Sequence, residues 1–252
     1  MLLFVLATLT ASAFAAPWLK DEFEPCSAKD LEFEKCAVRN IQLAFTKFRG
    51  GVPDYELPAF DPWFVPEILM DYSQQGIEGH MLVKNSRAVG LSTAQIQAFR
   101  ANLTDPDNLE FQVDFYIPHV FVEGEYKADG KIVTFPIGGK GIYNISMDDV
   151  SGTWTIQGYL VEVNGEKYMK ARHVLMYPQV GNMSVYASNL FTGNDELNKV
   201  ALQFANDYWP LFYRELLPYA AQGWDQFMRG TLNKLLLSVP FNSLVPDYEQ
   251  QL

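Results

Sequence analysis

Three histidines, His80, His119 and His173, and two cysteines, Cys26 and Cys36, are the side chains of this sequence with the widest chemical range. Imidazole can ligate a metal or move a proton near neutral pH, but these three lie far apart on separate expected strands. A metal site needs all three to converge, so the spacing reads instead as surface or strand histidines, and no metal is expected. The chain holds no G-x-S-x-G nucleophile elbow, no H-E-x-x-H and no C-x-x-C. Gly138-Gly139-Lys140-Gly141 resembles a phosphate loop, yet the leading glycine of that spacing is missing and Ile142 stands where a hydroxyl residue belongs. It reads as strand glycines at a tight crossing. Carboxylates are plentiful but show no paired constellation, which leaves a hydrolase as a minor reading. No catalytic residue and no cofactor are assigned.

The absence of chemistry turns attention to the segments that would position a binding site. Met1 to Ala15 carry no charged side chain and run apolar from Leu2 to Leu9, then through small residues to Ala13-Phe14-Ala15. This pattern predicts a secretory signal peptide over 1–15, cut after Ala15, and a single domain from Ala16 to Leu252. The apolar run is too short to span a bilayer, and no later segment reaches eighteen uninterrupted apolar residues, so no integral membrane segment is expected. With 30 acidic against 19 basic residues and a formal charge of -11, the surface repels phosphate backbones, which argues against nucleic acid as a partner. Aromatics at 14% beside charged residues at 19% leave apolar material that can line a cavity or fill an aromatic-rich core.

In an oxidising compartment an isolated cysteine pair predicts a Cys26–Cys36 disulfide. Ten helical steps of about 1.5 Å would hold the two roughly 15 Å apart, whereas a disulfide needs Cα atoms within about 7 Å. The first helix therefore starts between them, capped by Ser27 or Asp30, with Leu31, Ile41, Ala44, Phe45 and Phe48 roughly on one face and Gly50-Gly51 at its end. From Gly76 to Tyr186 the period changes to two. It is cleanest where Phe111, Val113, Phe115 and Ile117 alternate with Gln112, Asp114, Tyr116 and Pro118. After Pro118 the apolar phase shifts to Val120 and Val122, predicting a bend or bulge. Asp129-Gly130 and Asn164-Gly165 read as hairpin turns of a mostly antiparallel sheet. Beyond Asn189, Thr192 and Asn194 offer caps to a helix carrying Leu197, Val200, Ala201, Phe204, Tyr208, Leu211 and Phe212 at helical spacing. A second helical stretch runs from Tyr219 to Leu237, with kinks or a break at Pro210 and Pro218. One helix, many strands and a long C-terminal helix exclude alternating βαβ units and give an α+β class.

The stretch Gly51 to Pro62, GVPDYELPAFDP, resembles the signature of the insect takeout and juvenile-hormone-binding family. The resemblance continues through Gly90-Leu91-Ser92, the strand and turn from Val122 to Gly130, the glycines Gly139 and Gly141, and NLFTGNDELNKVALQFANDYWPLFYRELLP from Asn189 to Pro218. Pro210 departs from the family pattern, and the second disulfide of some members is missing, so the chain looks more like the takeout branch. The resemblance implies an elongated α-wrap, related to lipid-binding TULIP proteins, in which a strongly curved antiparallel sheet encloses the long C-terminal helix around an apolar tunnel. It also implies a lipophilic small-molecule partner: juvenile hormone, another terpenoid or a fatty-acid-like molecule. Such a carrier is expected to be extracellular, in haemolymph or chemosensory fluid, with any receptor unknown. The expected lining is Phe115, Ile117, Val120, Val122 and Phe135 on strands and Phe204, Trp209, Phe212 and Leu216 on the helix, with Tyr143 as a polar tip. The competing reading is an interaction or lipid-surface-binding protein whose tunnel is vestigial. Sequons at Asn102, Asn144 and Asn182 are glycosylation candidates in a secreted chain, and Asn102, in the polar stretch Arg100 to Asn108, is the most loop-like.

Overall fold

The computed structural model describes residues 23–53, 57–74, 77–132 and 135–248, and the leader expected over 1–15 lies outside them. Helix α1 (Phe33–Lys47) precedes seven strands, β1 (Trp63–Gln74), β2 (Ile77–Val89), β3 (Gln95–Asn102), β4 (Leu109–Ile132), β5 (Phe135–Val163), β6 (Glu166–Met176) and β7 (Gln179–Ala187). Helices α2 (Asp195–Asp207), α3 (Trp209–Leu236) and α4 (Phe241–Leu244) close the chain. The strands pair antiparallel in the order β1-β2-β4-β5-β6, with β3 also on β4 and β7 also on β5.

The two longest strands are the spine, paired from Leu109↔Gly158 to Ile132↔Phe135. Their outer edges are each shared by two shorter strands: β2 and β3 on β4, β6 and β7 on β5. The apolar phase of β4 does shift at Pro118, but no residue is inserted, because its register with β5 is unbroken there. Instead both strands change face together. Buried Val113, Phe115 and Ile117 give way to Val120 on β4, and Val150 gives way to Met147 on β5. Asp149, opposite Pro118, takes φ 52° to make the turn. A proline with no N–H to lose is well suited to that position. Asn164 (φ 54°) and Gly165 (φ 81°) form the tight β5–β6 turn as expected. Asp129-Gly130 does not turn: it lies inside β4, paired with both β2 and β5. A Cβ on Gly130 would strike the Glu78 backbone, so glycine there serves close strand approach.

The Cys26–Cys36 disulfide joins Cα atoms 5.7 Å apart, and α1 begins between them. Neither Ser27 nor Asp30 caps it: each accepts from the amide two residues on, Lys29 and Glu32, forming local turns before the helix. Leu31 is fully exposed ahead of α1 rather than on its apolar face. Gly51 (φ 82°) ends the segment and donates to the Phe48 carbonyl. Asn194 caps α2 by accepting from Leu197 N at 3.0 Å. The break comes at Tyr208, placing Pro210 in the first turn of α3, where amides have no intrahelical partner. Pro218 is absorbed within the 28 residues of α3.

This open sheet has free edges, and helix side chains occupy them. The Gln42 amide of α1 donates to Ala94 O and accepts from Ile96 N, both at 2.9 Å, at the start of β3. Asn206 of α2 pairs with Val185 N and O on β7, both at 2.8 Å. On α3, Asn233 pairs with Ala171 N (2.7 Å) and O (3.1 Å), Asp225 accepts from Val174 N at 2.6 Å, and Arg229 donates to Arg172 O at 3.3 Å, all on β6. Helix α3 also reaches β1 at the far end of the pairing order, through Trp63 against Trp224 (4.7 Å) and Phe227 (5.4 Å). Two terminal strands meeting one helix define the curvature.

Replacing Asn206 or Asn233 with leucine keeps the volume but strips an edge strand of a donor and an acceptor partner. Each should lower unfolding free energy by about 1–3 kcal/mol. The losses should add to within about 0.5 kcal/mol, since the residues share no partner. Urea unfolding of the singles and the double measures this, and midpoints unchanged from wild type would show that the amides do not hold the helices down.

Candidate ligand-binding interior

The inward face of β4 runs through three apolar clusters. In the middle, Phe115, Ile117 and Val120 are buried with Val113 and Val150, and Val122 packs at the margin. Helix α1 covers them with Phe33, Val38, Ile41 and Phe45. Trp154 stacks between Phe115 (4.7 Å) and Phe45 (5.5 Å). Phe115, only 1% exposed, is thus filled in by protein, and these candidates are core beneath α1. Toward one end Leu109, Met169, Phe241, Val245 and Tyr248 pack with Leu236 of α3. Toward the other, Val83, Tyr126 and Ala187 pack with Tyr143, Met70, Met81 and Leu202 of α2.

Tyr143 brings a polar atom into that last cluster. Its hydroxyl shares a 2.7 Å hydrogen bond with Ser86, which is buried. A bulge between Lys84 and Arg87, with Asn85 at φ 50°, turns Ser86 to that face. Gly124 lies beneath, where a Cβ would come within 3.0 Å of both side chains. Burial raises the Tyr143 pKa, against the lowering effect of the Ser86 bond, so the phenol stays neutral. Ser86 was not among the sequence candidates; the only local signal is an Asn-Ser step interrupting strand alternation.

The helix candidates gather separately. Phe204 contacts Tyr208 (4.8 Å) and Phe212 (5.7 Å), and Trp209 contacts Tyr213 at 6.2 Å. Phe204 (52%), Phe212 (36%) and Leu216 (46%) keep accessible apolar surface. They share it with Leu197, Val200, Tyr208 and Leu211. Tyr213 is anchored the other way, donating to Pro178 O at 2.8 Å, and burial pushes its pKa up to about 12. The Phe135 side chain lies outside the described residues.

Each histidine faces its own aspartate: His80 with Asp71 (2.5 Å), His119 with Asp148 (2.7 Å), His173 with Asp225 (3.2 Å). The Asp71 hydrogen bond raises the His80 pKa. Among the described residues no three metal-ligating side chains converge, and no helix is long and apolar enough to cross a membrane. Gly139 and Gly141 lie in β5 where the 188–191 segment crosses so closely that any Cβ would strike its backbone.

The family model of haemolymph juvenile hormone binding proteins matches residues 2–246. The chain belongs to this family. A fellow relative is the circadian clock-controlled protein daywake of Drosophila yakuba, 23% identical over 225 residues and 86% of each chain. The juvenile hormone-binding protein of Manduca sexta is 32% identical over 83 residues, 32% of this chain and 34% of that one. Takeout 1 of Epiphyas postvittana superposes with a TM-score of 0.70 at 22% identity, covering 88% of this chain and 99% of its own, which establishes the fold. Members of the haemolymph juvenile hormone binding family are binding proteins, and this chain is one rather than an enzyme.

Two of the motifs by which the chain resembles its family meet at Asp61, in the Phe60-Asp61-Pro62 step. This buried carboxylate accepts from Ser92 N (2.8 Å), Gly90 N (3.2 Å) and the Ser92 hydroxyl, so it ties the start of β1 to the Gly90-Leu91-Ser92 turn. Burial pushes its pKa up, but the bonds from Ser92 and Gly90, with the Arg49 charge, outweigh this and hold it below the usual carboxylate range. Gly90 has φ 100°, and a Cβ there would strike the His119 backbone.

A carboxyl with a depressed folded pKa stabilises the protein above its unfolded value, about 3.9, and loses that contribution as pH falls through the folded one. Asp61→Asn, which turns an acceptor into a partial donor facing donors, should cost about 2 kcal/mol or more at pH 7. The gap from wild type should narrow below about pH 4. Urea unfolding across this range checks it, and parallel stability profiles for the two proteins would remove Asp61 from this role.

Proposed function

We propose that the protein is secreted, with Ala16 to Leu252 as one mature domain, and carries a long apolar molecule in a tunnel between the sheet and α2–α3. The observation carrying this reading is the row of accessible apolar side chains along α2 and α3, from Leu197 through Phe204, Phe212 and Leu216. A soluble chain gains by covering such surface at roughly 25 cal/mol per Å², and a methylene chain laid along it contributes about 0.8 kcal/mol per carbon. Family membership and the hormone-binding relative make juvenile hormone, another terpenoid or a fatty-acid-like molecule the ligand class. Haemolymph or chemosensory fluid is the setting in which such a carrier would work.

In this reading Phe204, Trp209, Phe212 and Leu216 line the tunnel together with Phe135, and Tyr143 marks a polar end. Phe115, Ile117, Val120 and Val122, packed in the core beneath α1, support the sheet behind it without touching the ligand. Ser86 already gives the Tyr143 hydroxyl one partner inside the fold, and a ligand lacking oxygen leaves that bond intact. Such a site distinguishes a methylene by only about 1 kcal/mol and is permissive.

Native mass spectrometry of secreted protein should therefore show a retained lipophile. Juvenile hormone, its epoxide-free analogue and a fatty acid of matched length should compete for a lipophilic probe within about tenfold. Phe204→Ala or Phe212→Ala should weaken the probe about tenfold or more. Discrimination beyond about a hundredfold that vanishes in Tyr143→Phe would replace permissive carriage with dedicated hormone recognition. An apo protein that takes up no probe would favour an interaction role with a vestigial tunnel. On the secreted chain, N-terminal sequencing should begin at Ala16. Glycosidase should shift the mass through exposed Asn102 in preference to half-buried Asn144, with exposed Asn182, whose amide bonds Asp148, also open to modification. An unshifted mass would leave Asn102 unmodified.

A further inference from the structure

In a chain of formal charge -11, basic side chains should be neutralised by the many acids around them. One place does the opposite. A cleft of about 490 Å³ between β5, β6 and α3 is lined by Tyr159, Lys170, Ala171, Arg172, Gln226, Arg229, Gly230 and Asn233. Three of these are cations and none is an acid. Among the described residues Lys170, Arg172 and Arg229 form no ion pair. Arg172 donates only to neutral oxygens, Asn108 Oδ1 (3.5 Å) and Asp107 O (3.4 Å), and Arg229 only to Arg172 O (3.3 Å). The Arg172 guanidinium is fixed over the Tyr159 ring at 5.0 Å.

Like charges on one side of a strand edge repel, and Lys170 and Arg172 are two residues apart on β6. Two planar guanidinium forks, one held on an aromatic face and one on the backbone, and an ammonium form a donor set suited to a compact anion. Gln226 adds a neutral amide. Gly230 opens the helix side of the cleft, since a Cβ there would meet nothing within 4 Å. One carboxylate would leave most of this charge uncompensated, whereas a phosphate monoester offers up to two charges and three terminal oxygens.

We propose that this cleft binds a phosphate monoester, apart from the apolar interior. The shared chemistry is the dianionic phosphate, borne by a soluble metabolite or by a lipid headgroup. Arg172 and Arg229 grip its oxygens, and Lys170 neutralises the remainder.

Full-length secreted protein should be titrated with glycerol 3-phosphate by calorimetry, with glycerol as the uncharged control, and floated with phosphatidylcholine vesicles with and without phosphatidic acid. Saturable binding of glycerol 3-phosphate supports a soluble source. Binding confined to phosphatidic acid vesicles supports a headgroup. In either case Arg172→Gln and Lys170→Gln should each weaken binding about tenfold or more. Gly230→Glu touches none of the cations' existing bonds and places a carboxylate in the cleft, so it should abolish binding while leaving the thermal midpoint near wild type. Glycerol 3-phosphate and phosphatidic acid both failing to bind, glycerol binding equally well, or the Gly230→Glu protein binding as wild type does would each overturn the assignment.

Discussion

A sheet that curls without closing must satisfy the backbone groups along its free edges, and here primary amides of the helices do so. Gln42, Asn206 and Asn233 each present one carbonyl and one NH₂ to an edge strand, the same pair of groups that a further strand would offer. Each amide fixes a helix in both height and rotation, because a shift of one residue along the strand would set it opposite a residue whose N–H and C=O point the other way. The apolar clusters beneath tolerate sliding far better, since dispersion and burial have little direction. Packing therefore holds the helices against the sheet, and the amides determine where along it they sit.

That placement explains how one long strand serves several purposes. Because β4 and β5 change face together at Pro118 and Asp149, their register survives while the apolar face follows the bend. Helix α1 then covers the centre, α4 one end, and α2 the other, with α3 bridging to β1. The central cluster is dense aromatic core. Accessible apolar side chains follow one another along α2 and α3, through Phe204, Phe212 and Leu216, while elsewhere they stand at scattered positions such as Phe64, Leu69 and Ile142.

Much of this was legible in the residues. The two-residue period of Phe111 to Ile117, the turn at Asn164-Gly165 and the Cys26–Cys36 constraint on α1 are local or geometric, and each appears as read. Asp129-Gly130 misled because a turn dipeptide and a close strand crossing both demand a residue without bulk, and only the Glu78 backbone beyond it distinguishes the two. Ser27 and Asp30 misled for a similar reason: their side chains close a turn two residues on as readily as they cap a helix. The division of Phe115 and Ile117 from Phe204 and Phe212 was out of reach. Period reports which face is apolar and is silent on whether protein or ligand covers it. Ser86 and the edge amides were equally hidden, because their partners are distant in sequence.

The same elements separate an apolar interior from a cation-lined cleft. The Tyr143 and Ser86 hydroxyls bond each other within an otherwise apolar cluster. Charge is instead concentrated on the outer side of the β6 contact. Arg229 and Asn233 belong to both structures, holding the edge of β6 while lining the cationic cleft. The arrangement restricts how that cleft can vary. Lys170 can be exchanged at small structural cost, but replacing Asn233 exposes both backbone groups of Ala171, and replacing Arg229 frees the carbonyl of Arg172. The positions of the cleft's polar groups are thus set by the requirement to cap an edge strand, and its charge rests on top of a geometry that the fold needs in any case.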